Sequence, residues 1–212
     1  MDTLQTAFTY GADAVYLSGP GLSLRAQSRG FSNPELLNAL DLARKQGVRI
    51  YYCLNILARE KELVKAQDLL YQLQDIPIHG LIIADPGILS LATKILPDVP
   101  IHLSTQANTS NSASVSFWQE QGVKRINLAR ELCCKDLRAI RRSVADMELE
   151  LFVHGAMCMA ISGRCLMSSH LTGRSANLGL CTHPCRYAYR AVSLKMEEEK
   201  RPGRITWEVE EE

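Results

Sequence analysis

No stretch of this sequence approaches the ~18 consecutive apolar residues that a bilayer-spanning helix needs. The opening residues Met1 to Thr6 carry neither the basic start nor the apolar run of a secretory signal. Neither sign of charge dominates, with 24 Lys and Arg against 23 Asp and Glu, so any electrostatic signal for a partner must be local rather than global. There is no His-Glu-x-x-His and no Gly-x-Ser-x-Gly, which removes the common zinc-peptidase motif and the serine-hydrolase elbow. There is also no Cys-x2-Cys knuckle of the kind that structural zinc sites favour. These absences imply a cytoplasmic, reducing setting. In it the seven cysteines are expected to bind metal or carry redox chemistry rather than form disulfides.

What is present is an alternation of short β-rich runs with longer amphipathic ones, the pattern of βαβ units and a parallel sheet. The expected strands are Ala14 to Leu17, Arg49 to Leu54, Gly80 to Ala84, Ile101 to Ser104, Arg125 to Ala129 and Leu149 to Val153. Helices are expected over Leu4 to Tyr10, Pro34 to Gln46 and Glu60 to Leu73. The second opens on Ser32-Asn33-Pro34 as cap and first-turn proline. Gly11, Gly47 and Gly122 each sit just before a strand, a repeated helix-ending joint that favours a barrel over a sandwich. The fold class expected is a partial (β/α)8 barrel lacking its first strand and C-terminal part, since closure takes eight strands. An open doubly wound sheet is the alternative. The expected divisions are 1–155 for the barrel portion, 156–196 for a cysteine-rich segment and 197–212 for the start of a truncated region.

In such a barrel the residues just past each strand face the active-site mouth. Here they are Arg25, Asn55, Asp85, Thr105 with Gln106, Arg130 with Glu131, and His154. Asp85 precedes Pro86-Gly87 and could equally cap a helix, and Asn55 could satisfy loop backbone. Just beyond His154 comes Cys158-x6-Cys165-x15-Cys181-x3-Cys185. Four soft thiolates suit zinc or an iron–sulfur cluster, and two long converging loops favour a [4Fe-4S] cluster. From Leu151 to Met196 there is no acidic residue, while Arg164, Arg174, Arg186, Arg190 and Lys195 add positive charge. Such surroundings would stabilise an anionic cluster or a phosphate backbone. Arg138, Arg141 and Arg142 fall on one side of a helix and, with Arg186, are the RNA-binding candidates; an ordinary solvated face is the plainer reading. Cys53 is expected to be a small buried hydrophobe. Cys133 and Cys134, being adjacent at a helix start, are not expected to share one centre.

The run Glu150-Leu151-Phe152-Val153-His154-Gly155-Ala156-Met157-Cys158, followed by Ser162-Gly163-Arg164-Cys165-Leu166-Met167-Ser168, resembles the signature of the collagenase-like peptidase family U-32. Gly11 to Leu17, Leu24-Arg25-Ala26, His102 to Asn108 and Cys181-Thr182-His183-Pro184-Cys185-Arg186 extend the likeness over nearly the whole chain. The resemblance implies a (β/α)-barrel and a choice of activities. The family was named for proteolysis of collagen-like substrates, yet several members are iron–sulfur proteins of RNA-base or ubiquinone hydroxylation, with prephenate implicated as an oxygen source. It implies Cys158, Cys165 and Cys181 as cluster ligands, with the fourth taken from Cys185 or from elsewhere in the chain. Members of the family also carry an additional strand at the start and continue well past Glu212. The expected function is therefore 5-hydroxylation of a transfer RNA wobble uridine. A peptidase and a non-catalytic cluster-binding subunit are the alternatives, and the expected partners are transfer RNA and a second copy or a completing chain.

Overall fold

The computed structural model describes residues 1–24, 29–155, 157–192 and 208–211. Six parallel strands, β1 (Ala14–Leu17), β2 (Arg49–Leu54), β3 (Gly80–Ile83), β4 (Ile101–Leu103), β5 (Arg125–Asn127) and β6 (Glu148–Glu150), pair in sequence order from β1 to β6. A doubly wound sheet would reverse its order at a switch point; here no reversal occurs, and the sheet curls as half a barrel. Between the strands lie α2 (Asn33–Gln46), α3 (Glu60–Gln72), α4 (Pro86–Ile95), α5 (Ser112–Glu120) and α6 (Cys134–Ser143), with α1 (Asp2–Thr9) ahead of β1 and α7 (Met167–Thr172) beyond β6. A two-stranded antiparallel ribbon, β7 (Tyr189–Val192) with β8 (Glu208–Glu211), follows. Among the described residues no helix is long and apolar enough to cross a membrane.

The joints follow from local chemistry. Ser32 and Glu35 form a reciprocal capping box ahead of α2, whose Pro34 sits in the first turn, and Gly47 ends the helix in the left-handed region at φ 70°. Gly11 and Gly122 adopt the same conformation at φ 80° and 83°, so the repeated glycine before each of these strands marks a real joint.

Strand alternation divides the sheet into two unlike faces. On the convex face Ile50, Tyr52, Leu54, Leu81, Ile83, Leu103, Ile126 and Leu128 are buried against Leu36, Leu40, Leu70, Ile88, Val115 and Ile140 of the helices. The concave face carries Tyr16, Tyr51, Cys53, Ile82, His102, Ser104, Arg125, Asn127, Glu148 and Glu150. Barrel interiors are ordinarily filled by branched aliphatics, and this one is aromatic and charged instead. The Tyr16 hydroxyl on β1 donates to Glu150 on β6, so the first and last strands of the sheet meet through their side chains. Cys53, expected to be buried, is half-buried on this face.

Candidate functional site

The concave face is held by ion pairs and stacked rings. Arg125 bonds Glu148 at 2.6 Å and stands 3.8 Å from Glu150. Its guanidinium lies over the Tyr51 ring at 5.4 Å, and the His102 ring packs on Tyr51 at 4.5 Å. Asn127 donates to Glu150 at 2.9 Å. Burial first, and the Glu150 carboxylate second, push the Tyr16 hydroxyl above its ordinary range. Burial and then the nearby Arg125 lower His102 to about 4, so its ring is neutral at pH 7. The hydrogen bond from Arg125 holds Glu148 below its usual value. Of these residues, Tyr16, His102 and Glu150 stood in the sequence only within the runs that carry the family resemblance, and none was singled out as a site residue.

At the mouth, the candidates separate by what they touch. Asp85 caps α4, accepting from Gly87 N at 2.8 Å and Ile88 N at 3.1 Å, while its second oxygen accepts from Ala58 N at 3.2 Å. The capping alternative is therefore its role. Asn55 accepts from Leu24 N at 3.2 Å and donates to Ser104 at 3.3 Å, and Ser104 in turn donates to Gln106. Thr105 donates to Leu128 O at 3.0 Å. Arg130 stands 4.6 Å from the centre of the Phe152 ring. His154 is exposed, and among the described residues no hydrogen bond joins it to Cys158. Arg25 lies outside the described residues.

Glu131 is neither a free carboxylate nor part of the polar chain at Gln106. It accepts from Ser162 N at 2.7 Å, and the Ser162 hydroxyl donates to Asn108 at 2.8 Å. Ser162 is 1% exposed with φ 49°, and Asn108 has φ 60°. For residues other than glycine this left-handed backbone costs roughly 1 kcal/mol each and persists only where contacts over-determine it. Arg164 Nε donates to Gln106 O at 2.9 Å. The segment between Cys158 and Cys165 is thus pinned to the ends of β4 and β5.

The remaining cysteine loop is tied to the same place. Cys165 N donates to Asn177 Oδ1 at 3.2 Å, and Leu57, just past β2, donates to Asn177 O at 3.2 Å. Ser168, with no exposed surface, accepts from Thr182 N at 3.2 Å and so links α7 to the residue after Cys181. His183 N donates to Cys181 Sγ at 3.3 Å. None of the seven cysteines is in a disulfide; Cys165 and Cys181 are half-buried, and Cys158 and Cys185 are exposed. Four soft donors on tethered loops fit the chemistry of an iron–sulfur centre or zinc. Among the described residues, however, no three His, Cys, Asp or Glu side chains stand close enough together to hold a metal ion.

Residues 1–211 match the sequence model of Peptidase family U32. The chain belongs to peptidase family U32. Among U32 relatives, the tRNA hydroxylation protein P1 of Bacillus subtilis is 40% identical over 189 residues, covering 89% of this chain and 44% of that protein. The Collagenase of Porphyromonas gingivalis is 32% identical over 199 residues, covering 89% of this chain and 47% of its own length. This U32 chain thus spans less than half the length of these relatives. In fold it is similar to the U32 peptidase Mk0906, with a TM-score of 0.58 at 17% identity over 71% of this chain and 64% of that one.

The basic candidates also separate. Arg141 donates to the carbonyls of Val144, Ala145 and Met147 at 3.3, 2.8 and 2.8 Å, closing the C-terminal end of α6. Arg138 and Arg142 are exposed beside an apolar groove formed by Leu128, Leu137, Leu149 and Leu151. Arg186 is exposed in the short turn Pro184–Arg186, next to Cys185.

Proposed function

We propose that this chain serves hydroxylation of a pyrimidine in RNA, specifically the 5-position of a transfer RNA wobble uridine, with a [4Fe-4S] cluster held by Cys158, Cys165, Cys181 and Cys185. The observation that carries this reading is the tether of Ser162 to Glu131 and Asn108. It fixes a cysteine-bearing loop over the C-terminal ends of parallel strands, where barrel enzymes place their chemistry. The likeness to a tRNA hydroxylation protein supports RNA as the substrate class.

The cluster, when bound, supplies redox chemistry that no side chain here can. The chain's own residues do the rest. Glu131, Asn108 and the Gln106 carbonyl hold the loop, Ser168 and Asn177 join the cysteine-bearing segments, and the stretch from Leu151 to Met196 contributes no carboxylate of its own beside the thiolates. Arg138, Arg142 and Arg186 provide positive charge for phosphates.

Nucleoside mass analysis of transfer RNA from cells lacking this gene tests the proposal. A wobble uridine should lose the mass of one oxygen, the intact gene should restore it, and the Cys158→Ser form should not. Unaltered nucleosides, with a collagen-like peptide left uncleaved in the same cells, would replace this reading with peptidase activity.

A further inference from the structure

Past β6 the chain leaves the sheet and runs toward Cys158 without regular secondary structure over residues 151–153. Leu149 packs toward the core and Leu151 lines the groove beside α6, while Glu148 and Glu150 face the concave side. Phe152 lies two residues past the C-terminal end of β6, at the mouth. There it is 50% exposed, although a phenylalanine gains from burial. Arg130, at the corresponding end of the neighbouring β5, places its guanidinium 4.6 Å from the ring centre, within the range of a cation–π contact.

Arg130 makes no ion pair among the described residues, and the carboxylate next to it in sequence, Glu131, is bonded to Ser162. An aromatic ring braced by an unneutralised guanidinium, half open at the mouth and six residues before Cys158, matches how proteins take hold of an unstacked base. Flat rings and guanidinium planes stack bases, and the cation favours the attached phosphate. We propose that Phe152 and Arg130 form the platform on which one unpaired RNA base rests. This rests on the RNA reading above and adds the residues that would receive the base.

The test compares binding of the whole chain to an RNA hairpin with a uridine loop and to the same hairpin with the loop bases removed and the phosphates kept. One stacked base is expected to make the uridine hairpin bind about 5- to 150-fold tighter. Phe152→Leu should bring that ratio close to one while leaving affinity for the abasic hairpin unchanged, which also shows that the variant is folded. Phe152→Trp should keep the ratio, and its added indole emission should be quenched by the uridine hairpin and not by the abasic one. A Phe152→Leu protein that retains the ratio, or a wild-type chain that binds both hairpins equally, overturns the platform and leaves the RNA reading standing. A chain that binds neither hairpin overturns the RNA reading, and the platform with it.

Discussion

His102 is 6% exposed on the concave face, stacked on Tyr51 and close to Arg125. Its pKa falls from 6.5 to about 4, through burial first and Arg125 second. Between those two values the unfolded chain binds a proton that the folded chain refuses. The stabilisation is therefore complete above pH 6.5, declines as the pH falls, and is fully lost below about 4. A shift of this size corresponds to about 3 kcal/mol at most. Screening through the open concave face reduces that to about 2 kcal/mol, of which about 1 kcal/mol is lost between pH 7 and 5. Urea unfolding followed by circular dichroism at the two pH values reads the loss directly. His102→Gln keeps a polar side chain of similar reach without a titrating ring, so its stability should fall by about 1 kcal/mol less over the same interval. Glu148, held below its usual value by Arg125, stays ionised in the folded chain of both proteins over this interval. If His102→Gln loses as much stability on acidification as the wild type, the buried neutral imidazole is not what makes the fold acid-sensitive.

Asp85→Ala should cost about 2 kcal/mol in urea unfolding, since it removes a helix cap and strands Ala58 N–H, and should leave bound iron unchanged. Unchanged stability would reopen a direct role for Asp85 at the mouth. Exchanging Arg138 and Arg142 for Gln should flatten the salt dependence of transfer RNA binding by about 1–2 units of slope. Arg141→Gln should instead lower the melting temperature, because its guanidinium closes the end of α6. The reverse pattern would assign Arg141 to the RNA.

The convex half of the fold was legible because its signals are local. β1 and β2 have the expected bounds, and α2 and α3 end within a residue of theirs. The later strands are shorter than their apolar runs. In particular, the run expected as Leu149 to Val153 pairs only over Glu148–Glu150, because β5 offers partners no further along this open edge. The concave face was missed because its members lie far apart in sequence; Tyr16 and Glu150 are 134 residues apart. A signal for it did exist. Parallel strands covered on both faces should be apolar throughout, yet Arg125-Ile126-Asn127 and Glu148-Leu149-Glu150 alternate. Of the β7–β8 ribbon, β7 falls in the segment 156–196 expected to be cysteine-rich and only β8 in the expected region 197–212, and pairing across that gap leaves no local trace. At the mouth, Asp85 carried its capping role in the Asp-Pro-Gly that follows the strand. The fate of Glu131 depended on Ser162, thirty-one residues on, which no spacing rule reaches. The four cysteines were read as one site from their types and spacing, while among the described residues no three metal-binding side chains stand together; Phe152 fell in an expected strand, and only its contact with Arg130 sets it apart.

Iron, acid-labile sulfide and zinc measured on the chain after strictly anaerobic preparation bear most directly on the four-cysteine site. Iron and sulfide in equal amounts, with a visible absorption that oxygen bleaches, and both absent from Cys158→Ser and Cys165→Ser proteins that still fold, is the predicted result. Stoichiometric zinc without sulfide, or iron that survives those substitutions, would contradict it.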